Sequence, residues 1–123
     1  MMRDEILAME PGRELDVLVM TTRGYREVYN GEGVYFWRRN ADEMPLLVDS
    51  WQPSTDISAA MPLLDEMLSA VDAQDRTWVL HRDRDNWAVS EMYHDDLIPI
   101  AIGAEAPEAI TKAWLIWRES END

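Results

Sequence analysis

The strongest pattern of apolar and polar positions in this chain predicts a helix near its middle. Apolar residues recur there every three or four positions, which is the spacing of a helix with one buried stripe. The stripe consists of Ile57, Ala60, Met61, Leu64, Met67, Leu68 and Val71. We therefore expect a scaffold helix that buries one face against the rest of the protein.

The start of this helix decides what Pro62 does to it. Ser54, Thr55 and Asp56 can each accept hydrogen bonds from the free N–H groups of a first turn. A cap as late as Ser58 would leave Pro62 in the first turn, where proline is tolerated. A cap at Thr55 would put Pro62 deeper in the helix, where a kink is expected.

Two pairs of aromatic and β-branched runs predict hairpins. Residues 25–29 and 34–38 flank an Asn-Gly-Glu-Gly turn whose residues tolerate positive φ. Residues 76–82 and 87–93 flank an Asp-Arg-Asp-Asn turn, so that Arg82 would pair with Trp87. The prediction is thus two antiparallel strand pairs, one before and one after the helix along the chain.

Two other segments are candidates for additional strands. Residues 46–48 predict a third, short strand after the first hairpin. Residues 97–102 contain Pro99 and predict at best an edge strand, because proline cannot donate to a strand ladder. If Arg82 pairs with Trp87, the second hairpin has apolar side chains on both faces, which suggests that helices or another subunit cover both. One face carries Trp78, Leu80, Trp87, Val89 and Tyr93, and the other carries Val79, Ala88 and Met92.

Helical spacing also marks the beginning of the chain. Residues 4–9 predict a short helix, and Pro11 restarts the chain at a position that favours a second helical stretch. Gly24 ends that stretch in the usual manner. We expect Leu15, Leu18 and Val19 to face the core and Arg13, Glu14 and Asp16 to face solvent.

The last predicted helix begins near Pro107 and is apolar on more than one side. One stripe consists of Ile110, Ala113, Trp114 and Trp117, while Leu115 and Ile116 lie on the far side. Such a helix is either buried between layers or part of a subunit contact. The second interpretation predicts a homo-oligomer whose interface contains Trp114, Leu115, Ile116 and Trp117.

The order of these elements predicts an α+β protein with one domain over residues 1–123. A chain of 123 residues is large enough to bury a real hydrophobic core. We expect an α-β-α layered sandwich, with a small antiparallel sheet built of two hairpins and with three helices.

Two stretches carry a resemblance to a known family. Residues 4–16 (DEILAMEPGRELD) and residues 51–60 (WQPSTDISAA) resemble the phage ABA sandwich domain family. The hairpin at Trp78 and the closing helix at residues 106–117 also lie where that family has them. The resemblance implies a layered fold, a phage or prophage origin and a location in the cytoplasm of a bacterial host. It implies no catalytic motif, because the family consists mostly of proteins of unknown function.

The charge of the chain narrows its partners. Eleven Lys and Arg residues stand against 25 Asp and Glu residues, which gives a net charge of −14. Such a surface repels phosphate backbones and anionic lipids, so we expect neither nucleic-acid binding nor membrane binding. The acidic residues either dock on a basic partner or only confer solubility.

No run approaches the 18 apolar residues of a membrane span, and no signal peptide is expected.

The sequence contains little catalytic chemistry. There is no cysteine to serve as a nucleophile or as a zinc ligand. No serine lies in a glycine elbow, and no glycine-rich loop precedes a helix. The best metal hypothesis is a local site at the second turn, formed by His81, Asp83 and Asp85, although Asp and Asn are ordinary turn residues. We predict no catalytic residue, no cofactor site and no metal site.

These observations favour a non-enzymatic protein that binds a macromolecular partner, such as a basic host protein that it inhibits. The alternative is a protein that sequesters a small molecule between sheet and helices, and a metal-dependent enzyme comes third. Arginines available for an anionic small molecule are Arg38, Arg39, Arg76, Arg82 and Arg84. Most of the six tryptophans should lie in the core, and Trp37 or Trp117 is the one expected at the surface.

Overall fold

The computed structural model describes residues 3–40, 42–70 and 76–121 and confirms the α+β class. The helices are α1 (Arg3–Ala8), α2 (Arg13–Thr22), α3 (Ile57–Ser69) and α4 (Ala106–Glu121). The strands are β1 (Arg26–Tyr29), β2 (Tyr35–Arg38), β3 (Leu46–Leu47), β4 (Arg76–Asp83), β5 (Asn86–Tyr93) and β6 (Asp96–Gly103). A short 3₁₀ helix, Val48–Ser50, follows β3.

The strands form two antiparallel sheets rather than one. The first sheet has the order β1-β2-β3 and the second has the order β4-β5-β6. In the second sheet Arg82 pairs with Trp87, as predicted. Pro99 lies in β6, an edge strand, opposite Ser90 and next to a shift in register. The missing N–H of proline is tolerated there because an edge strand has one side without a neighbour.

The side chain of Asp56 caps α3 by accepting a hydrogen bond from Ser58 N at 3.0 Å. Pro62 therefore lies inside the helix and removes the N–H that would bond to the Ser58 carbonyl. The buried residues are Ala59, Ala60, Leu63, Leu64 and Met67. The predicted stripe was wrong at Ile57, Met61 and Leu68, which are exposed, because α3 packs against α4 through a face about one residue further round. Val71 lies outside the described residues.

Helix α4 is the centre of the fold. Every residue from Glu108 to Leu115 is buried, so the first of the two predicted interpretations, burial between layers, holds for this segment. One side of α4 contacts β5 and β6, and other sides contact α1, α2 and α3. The end of β6 approaches α4 so closely that a Cβ atom on Gly103 would lie 2.9 Å from Ala109 N. Glycine is therefore required at that position.

The predicted subunit interface on α4 is wrong for Trp114 and Leu115. Both are fully buried in the chain's own core, so neither has surface to offer to a second copy. The guanidinium groups of Arg23 and Arg118 lie 6.0 and 5.6 Å from the Trp114 ring, and they help to cover it. Ile116 and Trp117 are partly buried against the same core, and a homo-oligomer contact through them stays a prediction.

A buried ion pair joins α4 to α1. Lys112 Nζ donates to Glu108 Oε2 at 2.6 Å and to the carbonyl oxygen of Leu7 at 3.0 Å. The Lys112 side chain is only 3% exposed. Leu7 lies in the last turn of α1, where carbonyl groups lack helical partners and attract a cation. Glu108 Oε1 in turn accepts from Ala104 N at 3.1 Å, so the pair fixes both helix ends.

We expect Lys112→Met to destabilise the protein by about 3 kcal/mol or more, because Glu108 would keep a buried charge without its partner. The matched control is Arg39→Met, which breaks the Arg39–Glu43 pair of the same i, i+4 spacing at the surface. Exposed pairs of this kind contribute little to the free energy of unfolding, because water and salt screen the charges. Urea denaturation measures both changes, and equal losses in the two variants would contradict the assigned role of Lys112.

Candidate functional site

A cleft of about 250 Å³ lies between the beginning of α2, the first sheet and the loop that leads into α3. We call it the Asp16 cleft. Its walls combine apolar, aromatic and charged side chains, and they come from sequence segments that are far apart. The lining residues are Gly12, Arg13, Asp16, Val17, Trp37, Val48, Asp49, Trp51, Gln52 and Thr55.

Ser54 holds the two main walls of the cleft together. The Ser54 hydroxyl accepts a hydrogen bond from Gly12 N at 2.8 Å, and the backbone N–H of Ser54 donates to Asp16 Oδ1 at 2.8 Å. Ser54 is 1% exposed. These bonds join positions about 40 residues apart and fix the loop against the first turn of α2. A small hydroxyl side chain suits this buried position because it accepts from Gly12 N and also donates to the Gly12 carbonyl oxygen at 3.3 Å.

Asp16 was predicted to face solvent, and that prediction is wrong. The side chain is 5% exposed. Burial raises the pKa of Asp16 above its ordinary value, and the hydrogen bonds from Ser54 oppose the rise. The cleft thus contains a carboxyl group whose charge is poorly solvated, which is a feature of functional sites more often than of surfaces.

The positive charge in the cleft is already paired. Arg13 forms a bidentate contact with Glu27, with Arg13 Nη2 at 2.6 and 2.7 Å from the two carboxylate oxygens. This hydrogen bonding and the charge of Glu27 raise the pKa of Arg13, and Asp49 adds to the rise. Among the described lining residues Arg13 is the one basic side chain. Together with Glu27, the charged residues Arg13, Asp16 and Asp49 carry a net negative charge.

Two tryptophans form the aromatic part of the walls. Trp37 or Trp117 was the tryptophan expected at the surface, and Trp37 is not exposed, because only 1% of it is accessible. Its indole Nε1 is buried and finds no hydrogen-bond partner within the described part of the chain. Such an unpaired donor costs stability, and Trp114 Nε1 in the core is unpaired in the same way. Trp51 is half-buried and lines the cleft.

The second sheet has one face that packs against α4 and an opposite face on which several edge-strand side chains are exposed, although Ala88 and Ser90 in its central strand are buried. Val89 and Ala101 belong to the covered face and lie in the core with α4. The opposite face, which we call the open face, includes Leu97 and Ile102, which are 48% and 41% exposed. By strand register the open face consists of Thr77, Val79, His81, Ala88, Ser90, Met92, Leu97, Pro99 and Ile102.

A serine and a histidine meet on the open face. His81 Nδ1 lies 3.1 Å from the Arg82 carbonyl oxygen, and His81 Nε2 lies 2.8 Å from Ser90 Oγ. In the neutral ring Nδ1 must donate to the carbonyl, so Nε2 accepts from the serine hydroxyl. Ser90 is fully buried, however, and a backbone carbonyl replaces the carboxylate of a catalytic triad. The pair is therefore best explained as a structural bond between strands.

The residues of the metal hypothesis do not form a site. His81, Asp83 and Asp85 are not brought together, and in residues 3–40, 42–70 and 76–121 no three histidines or carboxylates are grouped to hold a metal ion. Both nitrogens of His81 are occupied by the bonds described above.

The arginines proposed for an anionic ligand do not line the Asp16 cleft either. Arg39 pairs with Glu43 and Arg82 lies over the Trp87 ring, while the side chain of Arg76 lies outside the described part.

Comparisons with models of protein families, with curated proteins and with solved structures gave no match. The resemblance to the phage ABA sandwich family therefore stays a prediction. Of the helices that the structure describes, none combines the length and the apolar character needed to cross a bilayer.

We expect Asp16→Asn and Asp16→Ala to differ in stability. At pH 7 the free energy of unfolding of Asp16→Asn should equal or exceed that of the wild type. The asparagine amide oxygen still accepts from Ser54 N, and a poorly solvated charge is gone. Asp16→Ala should lose about 1–3 kcal/mol, because the buried Ser54 N–H would be left unpaired. Denaturant unfolding at pH 7 checks both, and two variants of equal stability would argue against this bond.

The pH dependence of stability provides a second check. Because the pKa of Asp16 is raised in the folded state, protonation of Asp16 stabilises the fold fully below the ordinary value of 3.8. That stabilisation is lost as the pH rises through the raised pKa. Any advantage of Asp16→Asn over the wild type should hence be largest at neutral pH and shrink on acidification. An advantage that grows towards low pH would contradict the assignment.

Proposed function

We propose that this protein acts by binding a protein partner through the open face of its second sheet. The observation that carries the proposal is the exposure of Leu97 and Ile102 beside the half-buried Val79 and Met92. Exposed apolar side chains that share one flat sheet face are a feature of interaction surfaces. The buried Ala88 and Ser90 in the central strand keep the middle of the face low, so a partner's side chains can pack between the edge strands.

Acidic residues lie at both ends of the open face. Asp83 at the end of β4 and Asp85 in the following turn flank Arg84 at one end, and Asp95 and Asp96 lie side by side at the opposite end. A complementary partner has an apolar patch flanked by basic residues. Two copies of this chain packed face to face with their β5–β6 ends together would instead bring Asp95 and Asp96 of both copies close to one another. The charge pattern thus favours a different, basic protein over a second copy.

The size of the face gives the acidic turns a role in binding. Strands of eight residues span about 26 Å, and three strands side by side span about 14 Å. The product is roughly 400 Å², whereas a stable interface buries about 800 Å² on each partner. The apolar centre is too small alone, so the partner must also contact the turns.

The resemblance to phage proteins favours a bacterial host protein as this partner, with inhibition as the outcome.

The test uses a photo-crosslinking residue. We expect Ile102→p-benzoylphenylalanine to cross-link one bacterial protein with a basic patch, because position 102 lies inside the proposed interface. The control is Ile57→p-benzoylphenylalanine, since Ile57 is as exposed (43%) but lies on α3. Mass spectrometry identifies the product. A cross-link to a second copy of this chain, or equal products from both positions, would contradict the proposal.

The identified partner is then purified and its affinity measured by calorimetry. The double variant Leu97→Ser, Ile102→Ser should bind at least about tenfold more weakly, because apolar anchors carry much of an interface's energy. Ile57→Ser should bind like the wild type. Added salt should weaken binding without abolishing it, since the turns contribute charge pairs and the centre does not. Unchanged affinity of the double variant would remove the open face as the site.

A further inference from the structure

We infer that the Asp16 cleft binds the head group of an organic cation, a guanidinium or ammonium group carried on a short apolar chain. This site is separate from the open face, because its lining comes from residues 12–55, whereas the open face comes from residues 77–102. Three independent properties of the cleft support the inference.

Shape is the first property. A cavity of about 250 Å³ is below the roughly 300–1,000 Å³ of clefts that hold drug-sized ligands. It therefore suits a group the size of one long side chain. Val17 and Val48 provide apolar surface for the alkyl part, and Gln52 and Thr55 provide polar groups at the same cleft.

Charge is the second property. Asp16 and Asp49 line the cleft, and the positive charge of Arg13 is held by both carboxylate oxygens of Glu27. Counting Glu27, one cation stands against three carboxylates. An anionic ligand would have to approach the buried carboxylate of Asp16, whereas a cation would compensate it. The net charge of −14 further favours the approach of a cation.

The aromatic walls are the third property. Trp51 is half-buried, Trp37 is 1% exposed, and both line the cleft. Indole rings attract cations through their π faces. A cleft with a buried carboxylate, a second carboxylate and two tryptophans has the composition of an organic-cation site rather than of a metal site. Metal ions would need three grouped ligands, which the described residues do not supply.

The experiment compares butylguanidinium with butylurea, its uncharged counterpart of the same shape. Calorimetry with the full chain should show butylurea at least about tenfold weaker, because charge-assisted hydrogen bonds are roughly twice as strong as neutral ones. In ¹H–¹⁵N spectra, butylguanidinium should shift the indole signal of Trp51 and the side-chain amide of Gln52. Equal affinities of the two compounds, or shifts confined to the second sheet, would overturn the inference.

Variants locate the charge that is responsible. Asp16→Asn and Asp49→Asn should each weaken butylguanidinium several-fold, and Asp16→Asn keeps the oxygen that accepts from Ser54, so the fold remains testable by thermal unfolding. Asp65→Asn is the control, because it removes the same charge from an exposed position on α3. An equal loss in Asp65→Asn would mean that only the net charge attracts the ligand and would overturn the site.

A last experiment asks whether the cation is the side chain of a partner protein or a free small molecule. The tripeptide acetyl-Gly-Arg-Gly-amide presents a guanidinium as a partner protein would, and its citrulline analogue is the uncharged control. Binding of the arginine peptide as tight as that of butylguanidinium supports a partner's side chain as the ligand. Binding of butylguanidinium alone supports a free small molecule. If neither compound binds more tightly than its uncharged control, the inference fails, whatever the outcome at the open face.

Discussion

The contact between Lys112, Glu108 and the Leu7 carbonyl is the interaction on which the rest of the structure depends, because it makes a buried α4 possible. A helix surrounded by other elements cannot keep an uncompensated charge. The Lys112 ammonium is satisfied by one carboxylate and by the end of α1, at 2.6 and 3.0 Å. The two charged residues at the centre of the core therefore orient α1 against α4. Removing one partner alone would leave the other as an uncompensated buried charge.

A central α4 also explains why the second sheet is asymmetric. The helix covers the face that carries Val89 and Ala101, and the close approach at Gly103 fixes its distance from β6. The same side of α4 cannot also cover Leu97 and Ile102, which lie across the sheet. Apolar residues on both faces of a hairpin normally indicate two covering layers. Here the described residues provide a helical layer on one face and leave Leu97 and Ile102 on the other face exposed.

Local patterns were enough to predict the elements, but not the side-chain environments that make the cleft. The pairing of Arg82 with Trp87 and the edge position of Pro99 follow from turn chemistry and from the missing proline N–H. Asp16 looked like a solvent residue because it is charged and does not belong to the apolar stripe of Leu15, Leu18 and Val19. Its burial comes from Ser54, 38 residues away, and no local pattern shows such a partner. The single available signal was the polar Gln-Pro-Ser-Thr loop itself, which offers more hydrogen-bonding groups than a helix cap requires.

The error at Trp114 has the same physical origin and bears on how the protein interacts. A helix that is apolar on several sides is compatible with a subunit contact or with a central position, and only the neighbours decide between them. Arg23 and Arg118 lie over Trp114, and both also lie within 4 Å of Glu66 on α3. These charged groups cover the apolar side of α4 that carries Trp114. Under the proposals made above, the surface for a partner comes from the open face and from the Asp16 cleft. The open face belongs to the second sheet, whereas the Asp16 cleft lies beside the first. A substitution in one of these surfaces should therefore leave the structure of the other unchanged, because the core around α4 is not altered.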